Sequence, residues 1–304
     1  MSKSIRGVIT ALITPMQASG EIDWKAWDAL VADQLSAGVA GIIPCGTTGE
    51  SPTLSTDEKK RLVESAVSAC RGTETAVIAG TGSNDTPKTI ELSRWASDAG
   101  VDGVLIVTPY YNKPSQTGLL RHFTSVADAV SCPVVLYNVP GRTGVGIAPE
   151  IVAQLAAHPR IGHIKEATGK IEVTSEILDQ CSVSGTSISV LSGDDATWLP
   201  LLSAGADGVI SVASNLFPRA MVALQKAWDA GDARLAQQIH LRFYPLFRDL
   251  FVESNPVPIK TAMSWVGMAS ESVRAPLCAL TDASRKKLLA SLLRCGFREK
   301  GGTL

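Results

Sequence analysis

The segment Ala37-Gly38-Val39-Ala40-Gly41-Ile42-Ile43 recurs twice, as Ala99-Gly100-Val101-Asp102-Gly103-Val104-Leu105 and as Ala204-Gly205-Ala206-Asp207-Gly208-Val209-Ile210. The first glycine of each copy is suited to end a helix in the left-handed conformation. The second opens an aliphatic run, the pattern of a buried strand. Three copies of one helix–turn–strand junction predict a cyclic βα repeat. Outward from them, strands are expected at Gly7–Leu12, Gly41–Pro44, Ala76–Ala79, Gly103–Val107, Val134–Asn138, Ile161–Lys165, Ser189–Leu191 and Gly208–Ser211. The runs are nearly continuous in apolar residues, as parallel strands covered on both faces require. Between them, Ser55 followed by Glu58 predicts a capping box opening a helix through Ala69. Asp85 and Pro87 open another, running to Ala99. Strands in such a series favour an α/β fold of the (β/α)8 TIM barrel type over a doubly wound sheet. No strand pattern follows Ser211. Residues 1–231 are expected to form the barrel and residues 232–304 a C-terminal helical appendage.

A chain of 304 residues, 45% hydrophobic and 19% charged, can fill one such barrel and argues against disorder. With 28 basic and 29 acidic residues the formal net charge is -1. There is thus no basic excess to attract nucleic acid and no one-sign tail. No apolar stretch approaches the roughly 20 residues of a membrane span. The apolar start up to Thr14 is too short for a secretory signal and is cut by Pro15. Cys45, Cys70, Cys132, Cys181, Cys278 and Cys295 are scattered, without a C-x-x-C pair, and read as reduced thiols of a cytoplasmic protein. His122, His158, His163 and His240 show no metal-ligand spacing, so no metal is expected.

In a barrel of this kind reactive groups gather at the C-terminal ends of strands. The second strand leads into Gly46-Thr47-Thr48-Gly49-Glu50 and the fourth into Pro109-Tyr110-Tyr111-Asn112. The fifth ends in Tyr137-Asn138 and continues to Pro140-Gly141-Arg142. The sixth ends in Lys165-Glu166, and the seventh gives Ser192-Gly193-Asp194-Asp195. This rim is rich in hydroxyls and carries one Lys and one Arg. Lys165 closes an apolar strand, so its amine should sit partly desolvated in the barrel mouth. Desolvation favours the neutral amine, which is nucleophilic toward a ketone. A lysine at a strand end also snorkels to solvent or pairs with a carboxylate. The Gly46–Glu50 turn offers N–H groups and hydroxyls to a small carboxylate, or is a plain βα turn. It lacks the Lys and spacing of a nucleotide loop. Tyr137 and Tyr111 can relay protons, although single strand-end tyrosines are more often packed rings. Arg142, after a tight turn, suits bidentate carboxylate binding, or is a solvated loop arginine. Gly193-Asp194-Asp195 reads as a helix start with acids at its positive end, not as an acid/base pair.

Together, from Val8-Ile9-Thr10-Ala11-Leu12-Ile13-Thr14-Pro15 to about Leu280, these segments resemble the dihydrodipicolinate synthase family. That family sits within the pyruvate-dependent aldolases and lyases that also include N-acetylneuraminate lyase. The single motifs are weak, and their order on successive strand ends is specific. The resemblance implies that Lys165 forms the Schiff base with pyruvate. Thr48, with the backbone around Thr47, would hold the pyruvate carboxylate. Tyr137, Thr47 and Tyr111 would form a hydroxyl relay, with Tyr111 reaching in from a neighbouring subunit. Arg142 would bind the carboxylate of aspartate semialdehyde, and Gly193 and Ile210 would line the pocket. No cofactor is implied, because the covalent adduct is the electron sink. The implied assembly is a homotetramer, a dimer of dimers. Paired threonines and Arg142 favour the synthase. Another pyruvate-Schiff-base enzyme, such as N-acetylneuraminate lyase or a 2-keto-3-deoxy sugar acid enzyme, is the alternative.

The resemblance also places a regulatory cleft at Pro52, Thr56, Lys59, Asn84, Lys88 and Tyr110. Lysine-inhibited relatives often carry a His and a Glu where Lys59 and Lys88 stand. A cationic effector would meet two like charges there, so feedback by lysine is expected to be weak or absent.

Overall fold

The structure, a computed structural model, describes residues 3–296. Strands β1 (Gly7–Ala11), β2 (Gly41–Ile43), β3 (Ala76–Gly80), β4 (Gly103–Val107), β5 (Val134–Asn138), β6 (Ile161–Glu166), β7 (Ser189–Ser192) and β8 (Gly208–Ser211) pair in parallel in chain order. β8 closes onto β1 through Gly7 opposite Gly208 and Ile9 opposite Ile210. The expected (β/α)8 barrel is present. Expected strands differ only at their ends. Leu12 and Pro44 fall outside their strands, and Gly80, Glu166 and Ser192 lie inside. All three repeat junctions behave as read: Gly38, Gly100 and Gly205 have φ of 73°, 88° and 102°, and Gly41, Gly103 and Gly208 open strands. Gly208 has a second reason to be glycine, since a Cβ there would run into the backbone of Gly7 at the closing seam.

Helices α1 (Trp24–Ala37), α2 (Thr56–Ala69), α3 (Thr86–Asp98), α4 (Gln116–Asp128), α5 (Pro140–Thr143), α6 (Pro149–Ala156), α7 (Ile171–Val183), α8 (Trp198–Ser203) and α9 (Pro218–Asp229) follow the strands. Ser55 and Glu58 form the reciprocal capping box at α2, and Asp85 caps α3. Beyond α9, helices α10 (Ala233–Asp249), α11 (Val257–Trp265) and α12 (Asp282–Arg294) complete the described chain. No helix among the described residues is long and apolar enough to cross a membrane.

Strand alternation divides the core. One apolar layer lies between strands and helices and takes Val8, Val134, Leu136, Ile161 and Ile164. The other fills the barrel and takes Ile9, Ile43, Ile78, Leu105, Val135, Tyr137, Leu191 and Ile210. Residues in register on neighbouring parallel strands share a face. Lys165 is in register with Tyr137 on one side and Leu191 on the other. Both partners belong to the interior layer, so the same pleat carries Lys165 inward. The fold thus delivers one lysine to the inside of the barrel near its C-terminal end.

One reading is corrected. Gly193-Asp194-Asp195 does not begin a helix; α8 starts at Trp198. The Asp195 carboxylate instead accepts the N–H groups of Val212 and Ala213 at 2.9 and 3.0 Å, tying the end of β7 to the segment after β8. Its burial raises its pKa to about 6, against the pull of those hydrogen bonds. The sequence pattern of paired acids after a strand could not distinguish a helix start from this crosslink.

Candidate active site

Lys165 is 5% exposed, and its Nζ lies 4.3 Å from the centre of the Tyr137 ring. Among the described residues no carboxylate comes within ion-pair distance of it. The alternatives of a snorkelling or salt-bridged lysine therefore do not describe it. Its neighbour Glu166 points to the opposite face, where it accepts from Asn138 Nδ2 at 2.7 Å and from the Thr168 N–H at 2.6 Å. Burial pushes the Glu166 carboxyl above the usual carboxylate range.

The turn after β2 is held from within. The N–H groups of Gly49, Glu50 and Ser51 donate to the carbonyls of Gly46, Thr47 and Gly46, and the Thr14 hydroxyl donates to the Gly49 carbonyl. Among the described residues the N–H groups of Thr47 and Thr48 have no acceptor. Two adjacent free donors beside two hydroxyls are an anion-binding arrangement. Cys45 and Glu50, with φ of 59° and 56°, bracket the turn in the left-handed region. Such backbone strain persists where surrounding contacts over-determine it. Here Gly80 packs so closely that a Cβ would collide with the Cys45 carbonyl.

A cavity of about 240 Å³ opens beside this turn. Thr47, Tyr137 and Arg142 line it together with Lys59, Tyr110 and Pro52. The structure thus brings three of the expected chemical residues into one space with three of the expected regulatory ones. Thr48, Lys165, Gly193 and Ile210 do not line this cavity. Thr48 and Lys165 are buried, Lys165 packing on the Tyr137 ring that lines the cavity, and Ile210 belongs to the interior apolar layer with Tyr137. Gly193 donates its N–H to the Glu166 carbonyl, which leaves only its carbonyl for a ligand, and a Cβ there would meet that of Ala167 at 2.5 Å. Arg142 is exposed on the single helical turn α5 and reaches the cavity from its rim. Tyr111 is 89% exposed with φ of 72° and does not line the cavity of its own chain. Thr56, Asn84 and Lys88 stay outside the cavity as well; the Asn84 carbonyl accepts from Asn112. Lys59 is half-buried, and desolvation lowers its pKa.

The closed eight-stranded barrel agrees with the comparisons with known proteins. The model of the dihydrodipicolinate synthetase family matches residues 4–294. The chain belongs to that family. A family member named 4-hydroxy-tetrahydrodipicolinate synthase from Leptospira biflexa is 48% identical over 296 residues, covering 96% of this chain and 99% of the relative. The 4-hydroxy-tetrahydrodipicolinate synthase of Methylacidiphilum fumariolicum SolV has the same fold, with a TM-score of 0.92, 45% identity and 96% of each chain covered. A family structure described as the first monomeric dihydrodipicolinate synthase variant matches with a TM-score of 0.92 and 39% identity, covering 96% of this chain and 97% of the other.

Several residues that frame the site in this family member were not singled out from sequence. Asn255 Nδ2 donates to Thr48 Oγ1 at 2.9 Å. Lys260 forms a fully buried ion pair with Glu50, and the Arg274 N–H donates to the other Glu50 oxygen at 2.9 Å. All three partners come from the segment read as an appendage. A lone lysine inside the apolar run Val257-Pro258-Ile259-Lys260-Thr261-Ala262-Met263 was the available signal, since a buried lysine demands a partner.

Proposed function

We propose that the chain condenses pyruvate with L-aspartate 4-semialdehyde to give 4-hydroxy-tetrahydrodipicolinate, in lysine and diaminopimelate biosynthesis. The observation that carries this reading is the inward, unpaired Lys165 against Tyr137, whose ring lines the cavity together with Thr47 and Arg142. The neutral amine attacks the ketone carbon of pyruvate, and loss of water leaves an iminium. That iminium draws electrons from the adjacent methyl group, which gives up a proton and becomes an enamine carbon. The enamine carbon attacks the aldehyde carbon of the second substrate. The substrate's own amine then displaces Lys165 and closes the ring.

Thr48 and the free N–H groups hold the pyruvate carboxylate. Tyr137, Thr47 and the partner copy's equivalent of Tyr111 move the protons. Arg142 takes the second substrate's carboxylate at the rim. Gly193 and Ile210 contribute backbone carbonyls beside the reacting amine. No separate cofactor enters this scheme. The catalytic barrel is the expected 1–231 unit, and the expected 232–304 appendage braces its mouth through Asn255, Lys260 and Arg274; residues 1–2 and 297–304 of these two spans lie outside the described residues. The exposed Tyr110-Tyr111 pair supports a homotetramer built from dimers that share sites, because exposed aromatics often anchor interfaces. The scattered free cysteines support a cytoplasmic setting.

Steady-state comparison of substrates tests the assignment. Pyruvate with aspartate semialdehyde should turn over at least about 100-fold faster than N-acetylneuraminate or 2-keto-3-deoxy sugar acids are cleaved, since a site built for one substrate's polar groups rejects others by such factors. Preferential cleavage of a sugar acid would overturn it.

A further inference from the structure

The geometry points to Asn255, from the chain that enters α11, as a positioning residue for the pyruvate carboxylate, acting through the hydroxyl of Thr48. The inference rests on the reading of Lys165 and Thr48 given above. A hydroxyl has one proton and two lone pairs. Asn255 Nδ2 donates to Thr48 Oγ1 at 2.9 Å across 207 residues of sequence. That bond occupies a lone pair and turns the hydroxyl proton away from Asn255. Among the described residues Thr48 Oγ1 donates to no acceptor, and Thr48 is 2% exposed. The proton is therefore left for an acceptor that the reaction supplies, in this reading a carboxylate oxygen of pyruvate.

Asn255 is not merely filling space. It is 6% exposed, and its Oδ1 has no partner. Leaving a buried acceptor unpaired costs about 1–3 kcal/mol, which an apolar side chain of similar size would avoid. A buried polar group kept at such a cost calls for a role beyond packing. Its placement is also fixed with care. Lys260, one turn into α11, is paired with Glu50, two residues beyond Thr48 in the carboxylate turn. Lys260 also donates to the Ser272 carbonyl at 2.7 Å. Lys260 thus ties the turn to α11 close to the Asn255–Thr48 bond. The C-terminal segment consequently takes part in the site through its bonds to Thr48 and Glu50.

Asn255→Asp preserves size and reverses the bond, because a carboxylate takes the Thr48 proton. The pyruvate concentration for half-maximal borohydride trapping on Lys165 should rise about 10-fold or more, as loss of a charge-assisted hydrogen bond implies. The half-saturating aspartate semialdehyde concentration should change less than about twofold, being set at Arg142 on the rim. Asn255→Ala should raise pyruvate half-saturation in the parent protein and add nothing in a Thr48→Val background, since residues acting through one bond are not additive. Additive penalties, or an unchanged pyruvate dependence in Asn255→Asp, overturn the inference. A general loss of folding would instead lower the melting temperature and shift both substrates alike, which also overturns it. If the parent protein itself gives no adduct, the underlying reading of Lys165 fails; an adduct with additive penalties sinks only the role of Asn255.

Discussion

Lys59 shows how one side chain can decide what a cavity accepts. It is half-buried beside Thr47, Tyr110 and Arg142, and among the described residues no acidic side chain lines that space. A cationic effector entering there would meet like charges with no carboxylate to offset them. We therefore predict no saturable binding of L-lysine at millimolar concentration by isothermal calorimetry. Tight binding would show that this cleft is compensated by a partner copy. His122 makes a second prediction at this scale. Its Nδ1 bonds the Thr86 hydroxyl at 2.9 Å, joining α3 to α4, while burial lowers its pKa from 6.5 to about 4. The folded state holds the neutral ring, so its contribution is complete above pH 6.5 and is lost as pH falls toward 4. Full protonation weighs on the order of 3 kcal/mol against folding. Melting temperature should fall across that window, and His122→Gln should flatten the fall. Of the residues proposed for the site, Lys165, Tyr137, Thr47, Thr48 and Arg142 could be nominated from sequence because strand ends and the turns after them face the mouth of a barrel. Asn255 was not, because its meaning depends on a contact 207 residues away.

At the scale of elements, the three Ala-Gly junctions made the barrel legible. Each ends a helix with a left-handed glycine and opens a strand with a second glycine, and local conformation of that kind is written in local sequence. Paired acids after β7 misled for the converse reason. Asp195 finds its partners after β8, and no periodicity records a crosslink between two loops. The tie between α11 and the turn after β2 is of the same kind. Lys260 and Glu50 are both fully buried, so their attraction must offset the loss of two hydration shells. Removing one partner strands the other charge. Lys260→Met should cost about 3–5 kcal/mol in denaturant unfolding. A loss under about 1 kcal/mol would mean that water reaches Glu50 and that the latch is weak. The double replacement Lys260→Met with Glu50→Gln should recover part of the loss, because no bare charge remains.

For the whole molecule, the question is where Tyr111 acts. It stands 89% exposed beside a 37% exposed Tyr110, in a backbone conformation that non-glycine residues seldom adopt. A residue so placed does not line the cavity of its own chain, and the proposal is that it serves that of a second copy. Tyr111→Phe should therefore lower turnover on the order of 100-fold, the contribution of a placed proton donor. Mixing it with inactive Lys165→Ala chains should restore activity, since each hybrid dimer then contains one intact site. Full activity of Tyr111→Phe alone, or of a monomer at high dilution, would contradict a shared site.

All of this depends on a covalent bond at one nitrogen. Incubating the protein with pyruvate and borohydride, then mapping the modified peptide by mass spectrometry, tests that bond directly. The account predicts irreversible addition of one reduced pyruvate unit at Lys165 alone, with none when pyruvate is omitted. An unmodified Lys165 in a folded protein, or an adduct on another lysine, would contradict it.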